Sequence, residues 1–206
     1  MNTFFTRLAG AALLLVALPT NAITISLNPA TSTTTAGSSV DVALVISGLG
    51  TGAAPSLGVF DLDIGYNPAI LNFSSVIFGD PILGDQLDLS GLGSLNSFTP
   101  GTGSVNLFEL SLDAATDLNA LQADSFTLAT LTFSELSAGV SPLNMSLNAI
   151  GDANGDPLTV DSVGASVTVN PNTNPGSVPE PAAWILIGLG VLTMQRFTRL
   201  LSKINF

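Results

Sequence analysis

The stretch that decides the fold runs from Leu57 to Leu71 and reads Leu-Gly-Val-Phe-Asp-Leu-Asp-Ile-Gly-Tyr-Asn-Pro-Ala-Ile-Leu. In its first half, apolar side chains at positions 60, 62 and 64 alternate with Asp61 and Asp63. Successive side chains of a β-strand point to opposite faces, so this alternation predicts a strand with one buried and one wet face. The Tyr-Asn-Pro that follows is rich in turn-forming residues, and we expect the strand to end there.

The same period of two recurs along most of the chain between residues 23 and 170. Apolar residues at every second position alternate mainly with Ser, Thr, Asn and Asp, and Gly, Pro and Asn clusters separate the segments. The segments concerned are Ile23–Leu27, Val40–Ile46, Leu143–Ala149 and Val167–Val169. Short alternating strands of this kind predict an all-β domain, an antiparallel β-sandwich of two packed sheets.

Three segments depart from the alternation. The apolar phase slips between Leu128 and Leu131, which predicts a bulge or a strand buried on both faces. Residues 113–122 predict one or two helical turns that begin after a capping Asp or Thr. Residues 79–104 are rich in Gly, Ser and Asp, and we expect them to be mostly surface loop.

Residues 31–39 form a fourth irregular segment. Seven of these nine residues carry a hydroxyl group, and none is apolar except Ala36. We therefore expect an exposed turn there.

The stretch Leu57–Leu71 resembles the signature of the cohesin family, in which a strand runs into Tyr-Asp-Pro and a Leu follows three residues later. Leu128–Phe133 and Ser141–Leu147 are similar to the later paired strands of that family, so the resemblance covers residues 23–170. It implies a jelly-roll sandwich of nine strands, a fold that cohesins share with related carbohydrate-binding modules. It also implies contact with another protein through one sheet face, as cohesins bind dockerins.

The N-terminus has the pattern of a secretory signal in residues 1–22. Arg7 precedes the apolar run Leu8–Leu18, and small residues follow up to Ala22. The run is too short to cross a hydrocarbon layer of about 30 Å, so we expect a signal helix that is removed after Ala22.

The C-terminus combines a Pro-rich linker over residues 171–181 with an apolar segment and a basic end. Residues 182–206 predict a single transmembrane helix, and the positive side chains orient its end toward the cytoplasm. The motif before the helix and the cations after it are Val178, Pro179, Glu180, Pro181, Arg196, Arg199 and Lys203.

This order of Pro-Glu-Pro, apolar helix and basic end resembles the PEP-CTERM sorting signal. The resemblance implies that an exosortase, a membrane protease, recognises Pro179, Glu180 and Pro181 and removes the anchor. The protein then passes to the cell surface or the extracellular matrix, commonly in bacteria that make exopolysaccharide. A permanent single-pass membrane anchor is the alternative.

Charge and composition disfavour nucleic-acid binding and catalysis. All fifteen acidic residues lie between Asp41 and Glu180, and all four basic residues lie outside that range. Anionic nucleic acid and lipid are therefore poor partners for the domain. The chain has no His and no Cys, so the usual imidazole bases and thiol nucleophiles are absent. Asp61 and Asp63 would suit a glycosidase, but a solvated strand face is the preferred interpretation, and we expect no enzyme activity.

Two groups of side chains are candidates for weak calcium binding, and no other cofactor is expected. These are Asp152, Asn154 and Asp156 in a short polar segment, and Asp80, Asp85 and Asp88 in the long loop. The first group begins like an EF-hand, but Pro157 and Val163 stand where that loop needs Gly and Glu. We prefer a tight polar turn between strands that end at Ile150 and begin near Leu158.

The partner of the domain is either a surface protein or an exopolysaccharide. Sugar sites commonly use exposed Trp or Tyr, and between residues 23 and 181 the chain has no Trp and only Tyr66. Because Tyr66 belongs to the turn motif, we expect it to pack. Protein contact or matrix assembly is therefore preferred to sugar binding.

Overall fold

The computed structural model describes residues 22–172. The predictions on the signal segment before Ala22, on the linker from residue 173 and on the transmembrane segment 182–206 lie outside these residues. The sorting motif 178–181 and the three C-terminal cations lie outside them as well. Within residues 22–172, no helix is both long and apolar enough to cross a bilayer.

The described residues contain β-strands and one short helix. In chain order they are β1 (Ile23–Asn28), β2 (Thr31–Thr35), β3 (Ser39–Ser47), β4 (Leu57–Gly65), β5 (Leu71–Phe78), β6 (Ser94–Gly101), β7 (Ser104–Ser111), α1 (Ala115–Leu121), β8 (Ser125–Glu135), β9 (Gly139–Asp152), β10 (Val160–Val163) and β11 (Ala165–Asn170). The strands form a five-stranded sheet in the order β10-β1-β3-β8-β5 and a six-stranded sheet in the order β2-β11-β9-β4-β7-β6. The predicted two-sheet sandwich is confirmed.

Two strand pairs are parallel, which corrects the expectation of purely antiparallel sheets. β1 pairs with β10, and β2 pairs with β11, both in parallel register. The first strand crosses from the five-stranded to the six-stranded sheet at Pro29-Ala30 and so forms β1 and β2, and the last strand crosses at Gly164 and forms β10 and β11. Because these two crossing strands run side by side in the same direction, they pair in parallel in both sheets. If each of these crossing strands is taken as one, the sandwich has the nine strands that the resemblance implies.

The core lies between the sheets and is built from the alternating residues. Phe60, Leu62 and Ile64 of β4 are fully buried, and Leu44 and Phe133 face them from the other sheet. The apolar alternation predicted this face correctly, because burial of apolar area is the main favourable term in folding.

The phase slip in β8 is a bulge. Opposite β3, Leu44 aligns with Ala129 and Val45 with Thr127, so Leu128 is the additional residue. Leu128 and Ala129 are both buried as a result. The predicted bulge is confirmed.

The prediction that residues 79–104 are mostly loop is confirmed for residues 79–93, but it missed a strand, β6. β6 and β7 form a hairpin, and only residues 79–93, called the 79–93 loop below, connect β5 to β6. β6 lies at the edge of its sheet, and every residue after Ser94 is exposed. An edge strand of this kind needs no apolar alternation, which is why its sequence did not indicate a strand.

Residues 31–39 also contain a strand, where an exposed turn was expected. β2 occupies Thr31–Thr35 and β3 begins at Ser39, so the turn is limited to residues 36–38. β2 pairs only with β11 at the edge of the six-stranded sheet, and its hydroxyl side chains reflect that exposed position.

The short helix is present, but its predicted cap is wrong. The N-cap residue of α1 is Ala114, which makes no side-chain hydrogen bond. The carboxylate of Asp113 instead accepts hydrogen bonds from the backbone N–H of Leu89 (2.6 Å) and Ser90 (3.3 Å). Asp113 thus holds the 79–93 loop rather than the helix.

Candidate functional site

The outer face of the six-stranded sheet carries a cluster of polar side chains. Asp61 and Asp63 of β4 point to this face because their neighbours at 60, 62 and 64 are buried in the core. β7 pairs with one side of β4 and β9 with the other, which brings Asn106 and Asn148 beside the two carboxylates. These four residues are called the Asp–Asn cluster below.

Hydrogen bonds join the members of the Asp–Asn cluster. The Asn148 amide donates to Asp61 Oδ1 (3.1 Å) and to Asp63 Oδ2 (2.9 Å). The Asn106 amide donates to Asp61 Oδ1 (2.7 Å) and to the carbonyl of Leu62 (3.3 Å). The two amides therefore fix both carboxylates on an accessible face, and the remaining carboxylate lone pairs are available to a partner.

The alternation in the sequence predicts the outward position of the two aspartates of this cluster, but it did not indicate that the two asparagines join them. Asn106 lies 45 residues from Asp61, and Asn148 lies 87 residues from it. A signal did exist, because Asn106 alternates with the buried residues Val105 and Leu107 and so had to face outward. Which outward residues meet across the sheet depends on strand order, which the alternation does not contain.

Apolar surface borders the Asp–Asn cluster on both sides. On the side of β7 and β6, Phe108 and Leu110 are half-buried on the outer face, and Leu95 of β6 is 54% exposed. On the side of β9, a groove of about 430 Å³ adjoins Asn148. The residues that line the groove include Val59, Ala149, Pro157 and Leu158. This mixture of fixed polar groups and apolar surface is typical of a protein-binding patch.

No positive side chain is present on this face. All four basic residues of the chain lie outside residues 22–172, so no Lys or Arg of the domain pairs with Asp61 or Asp63. The face therefore favours a partner that brings Lys, Arg or amide donors to these carboxylates.

In the turn formed by residues 152–156, which is the first candidate calcium site, the carboxylate of Asp152 accepts hydrogen bonds from the turn itself. Asp152 Oδ1 accepts hydrogen bonds from the backbone N–H of Asn154 (2.8 Å) and Asp156 (2.9 Å). Desolvation opposes the charged form of Asp152, but these donors and those of the Asn154 side chain and the Gly155 backbone outweigh it, so the pKa of Asp152 is lowered. The backbone N–H of Leu158 donates a hydrogen bond to the carbonyl of Ile150, which agrees with the tight polar turn that the sequence predicts.

The three aspartates of the long loop do not form a common site. Asp80 accepts bonds from the backbone N–H of Ile82, Leu83 and Thr127, whereas Asp88 accepts one from Gly93. Among residues 22–172, no three Asp, Glu, His or Cys side chains are grouped so that they could hold a metal ion.

Asp80 illustrates what these loop carboxylates do instead. Desolvation acts to raise the pKa of Asp80. The hydrogen bonds from the backbone N–H groups of Leu83, Thr127 and Ile82 outweigh it and lower this pKa to about 2. The ionised carboxylate thus ties the start of the 79–93 loop to β8. Its function is structural.

Tyr66 packs against the core, as the turn motif in the sequence predicts. Its ring lies edge-on to Phe133 at a centroid distance of 5.3 Å, and its backbone N–H donates to the carbonyl of Gly103. The only Tyr of the domain is therefore half-buried in the turn motif and is not an open platform for a sugar ring.

Comparisons with known proteins reveal a likeness of fold. No protein-family model matches the chain, and no curated protein matches it. A non-cellulosomal cohesin from the archaeon Archaeoglobus fulgidus is 13% identical with a TM-score of 0.54, over 78% of this chain and 100% of that chain. The cohesin CaCohA2 from Clostridium acetobutylicum is 21% identical with a TM-score of 0.54, over 74% of this chain and 94% of that chain.

A third similar structure contains a bound partner. A chain from a type I cohesin–dockerin complex of Clostridium thermocellum is 15% identical with a TM-score of 0.57, over 73% of this chain and 100% of that chain. These identities are low, so the likeness concerns the fold. The domain has a cohesin-like fold.

Proposed function

We propose that this protein is a non-enzymatic, exported surface or extracellular-matrix protein whose cohesin-like domain contacts another protein through the outer face of the six-stranded sheet. The observation that carries the proposal is the Asp–Asn cluster. Two carboxylates are held by amide donors on an open face, beside apolar surface on β7, β6 and the groove next to β9. Fixed polar groups bordered by apolar area give both specificity and binding energy.

The likeness to cohesins supports a contact function without identifying the partner. Several of the similar structures are complexes of a cohesin with a dockerin. A fold alone does not transfer a partner, so the dockerins of those complexes are not assigned to this chain. The charge of the domain instead favours a partner with a basic contact surface.

Export and sorting rest on the two ends of the chain. In this proposal the signal segment is removed after Ala22, and an exosortase recognises Pro179, Glu180 and Pro181 and releases the domain from the inner membrane. The transmembrane segment is then a transient anchor.

A paired substitution tests the contact face. We expect Asp61→Asn with Asp63→Asn to weaken capture of a host surface protein by the immobilised mature chain at least tenfold. The reason is that the variant removes the two charges which the partner's cations would meet. The matched control is Asp41→Asn with Asp161→Asn, which makes the same charge change on strands β3 and β10 of the other sheet.

Two results would contradict this assignment. Equal loss of binding in both double variants would show that only net charge matters. Strong, selective binding of the mature chain to the host exopolysaccharide on a glycan array would make the domain a carbohydrate-binding module instead.

A further inference from the structure

Glu109 of β7 is a carboxyl group inside the sandwich. It lies on the same face of β7 as Val105 and Leu107, it pairs across the ladder with Phe60, and its side chain is 0% exposed. Its Oε1 atom accepts a hydrogen bond of 2.6 Å from the hydroxyl of Ser94, whereas its Oε2 atom is buried without a hydrogen-bond partner. A buried, unpartnered carboxylate oxygen is costly in free energy and needs a compensating group.

A second carboxylate shares the same hydroxyl. Ser94 Oγ also lies 3.2 Å from Asp85 Oδ2, and it accepts a hydrogen bond of 3.3 Å from the amide of Asn96. A serine hydroxyl has one hydrogen, so it can donate to Glu109 or to Asp85 but not to both at once. While both carboxylates are ionised, the arrangement therefore lacks one positive group or one proton.

The domain contains no side chain that could supply this positive group. None of the residues from 22 to 172 is Lys, Arg or His. Buried charges in proteins are normally paired with an opposite charge or coordinate a metal. When both Asp85 and Glu109 are ionised, the compensating charge therefore comes from outside residues 22–172.

We propose that Asp85, Ser94 and Glu109 form a binding site for Ca²⁺ between the 79–93 loop and β7. The donor atoms are all oxygens, including two carboxylates, and hard divalent cations prefer that set. This site shares Asp85 with the long-loop candidate predicted from the sequence, but its second carboxylate, Glu109, belongs to a strand and was not predicted as a ligand.

The position of the site gives the ion a structural role. Asp85 belongs to the loop that joins the two sheets, and its Oδ1 atom also accepts the backbone N–H of Leu87, which is buried. An ion shared with Glu109 would hold this part of the loop onto β7. Two carboxylates and a hydroxyl supply about half of the usual six to eight ligands, so water completes the shell and the Kd is on the order of 10⁻⁴–10⁻³ M, as in extracellular modules.

Calcium titration of the full chain in detergent tests the proposal. At fixed pH 8, after treatment with EDTA, we expect 10 mM CaCl₂ to raise the Tm by about 3–10 °C. Glu109→Gln and Asp85→Asn should each abolish this rise, and isothermal titration should give one site per wild-type chain. Asp161→Asn, which removes an exposed carboxylate on β10, is the matched control and should respond like the wild type.

Hydrogen exchange shows where the ion acts. Bound Ca²⁺ should slow amide exchange in residues 85–93 while leaving the Asp–Asn cluster unchanged. NaCl of equal ionic strength should not reproduce either effect, because screening is not site-specific.

Three results would overturn the site. They are a wild-type Tm unaffected by Ca²⁺, a Ca²⁺ response that both Glu109→Gln and Asp85→Asn retain, and a response that NaCl reproduces. In the first case a proton, rather than a metal ion, compensates the two carboxylates. If Glu109→Gln does not fold, Asp85→Asn decides the matter, because asparagine keeps the acceptor for Leu87 N–H.

Discussion

At the scale of single residues, carboxylates of one type do different work because their surroundings differ. Asp80 is ionised and bound by backbone N–H groups, so it is a structural tether. Asp61 is held by two amides on an open face, which suits a partner. Glu109 is enclosed between the sheets beside a second carboxylate. In a domain without Lys, Arg or His, hydrogen-bond donors and burial determine these roles.

Glu109 makes stability depend on pH. Burial, opposed by the hydrogen bond from Ser94 and reinforced by the charge of Asp85, raises the pKa of Glu109 from 4.5 to about 7. A raised carboxyl pKa means that the folded state binds the proton more tightly than the unfolded state. The resulting stabilisation is fully present below about pH 4.5 and is lost as the pH rises through about 7.

In EDTA, the free energy of unfolding should therefore fall between pH 5 and pH 8. The contribution of Glu109 to this fall is on the order of 3 kcal/mol. Urea unfolding at several pH values measures it, and Glu109→Gln should flatten the curve in this range. A wild-type curve that is flat from pH 5 to pH 8, or a variant curve that falls equally, would contradict the assignment.

At the scale of elements, buried amide side chains join the helix to the sheet and to the loop. The Gln122 side chain accepts from Leu57 N–H (2.6 Å) and donates to the carbonyls of Leu57 (3.0 Å) and Gln86 (2.9 Å). Gln86 in turn accepts from Ala123 N–H (3.0 Å). These bonds satisfy backbone groups of Leu57, where β4 begins, and of Gln86 in the 79–93 loop.

Truncation of Gln122 should detach this junction. We expect Gln122→Ala to lower the free energy of unfolding by about 2–4 kcal/mol, because it leaves three buried backbone groups without partners. Urea unfolding gives the value. Leu121→Ala, at a side chain that is 65% exposed on the same helix, is the control and should change stability little. A small effect of Gln122→Ala would mean that water replaces the amide.

The crossing of the last strand between sheets depends on a glycine. Gly164 separates β10 from β11, and a Cβ atom there would collide with the backbone carbonyl of Leu143. We expect Gly164→Ala to destabilise the domain by about 2 kcal/mol or more in urea unfolding. Gly65→Ala is the matched control, since its nearest neighbours would be 3.9 Å away. Equal stability of the two variants would show that β9 moves aside without cost.

At the scale of the whole molecule, the proposed function needs both the domain and the ends of the chain. The domain supplies the contact face, whereas the ends determine where that face is displayed. The described residues up to Pro171 form one compact unit, so release after the linker would leave the domain intact.

Substitution of the sorting motif tests this division of labour. With Pro179, Glu180 and Pro181 replaced by Ala, we expect uncleaved protein to accumulate in the inner membrane, because the exosortase no longer recognises it. The measurement is the intact mass of the protein from the membrane and from the cell exterior. Wild-type protein from outside the cell should begin at Ile23 and lack Trp184. Unchanged release of the variant, or Trp184 in the exported wild type, would contradict recognition by an exosortase. The C-terminal segment would then be a permanent anchor, or export would follow another route.

The amino-acid sequence by itself determined the sandwich, the faces of its central strands and the bulge in β8. These features follow from the order of apolar and polar residues within single strands, because side-chain direction has a period of two. The same alternation in β7 contained the burial of Glu109, which is in phase with Val105 and Leu107. The alternation alone was enough to predict that Glu109 is buried, but this prediction was not made because charged residues usually face solvent.

The tertiary structure alone decided which strands are neighbours and what lies at the sheet edges. β6 and β2 carry little apolar signal because their side chains face solvent. The contacts of Asp61 with Asn148, and of Glu109 with Ser94, require strand order and register in addition to local pattern. Local sequence specifies the direction of a side chain, but its partner is set by long-range packing of the two sheets.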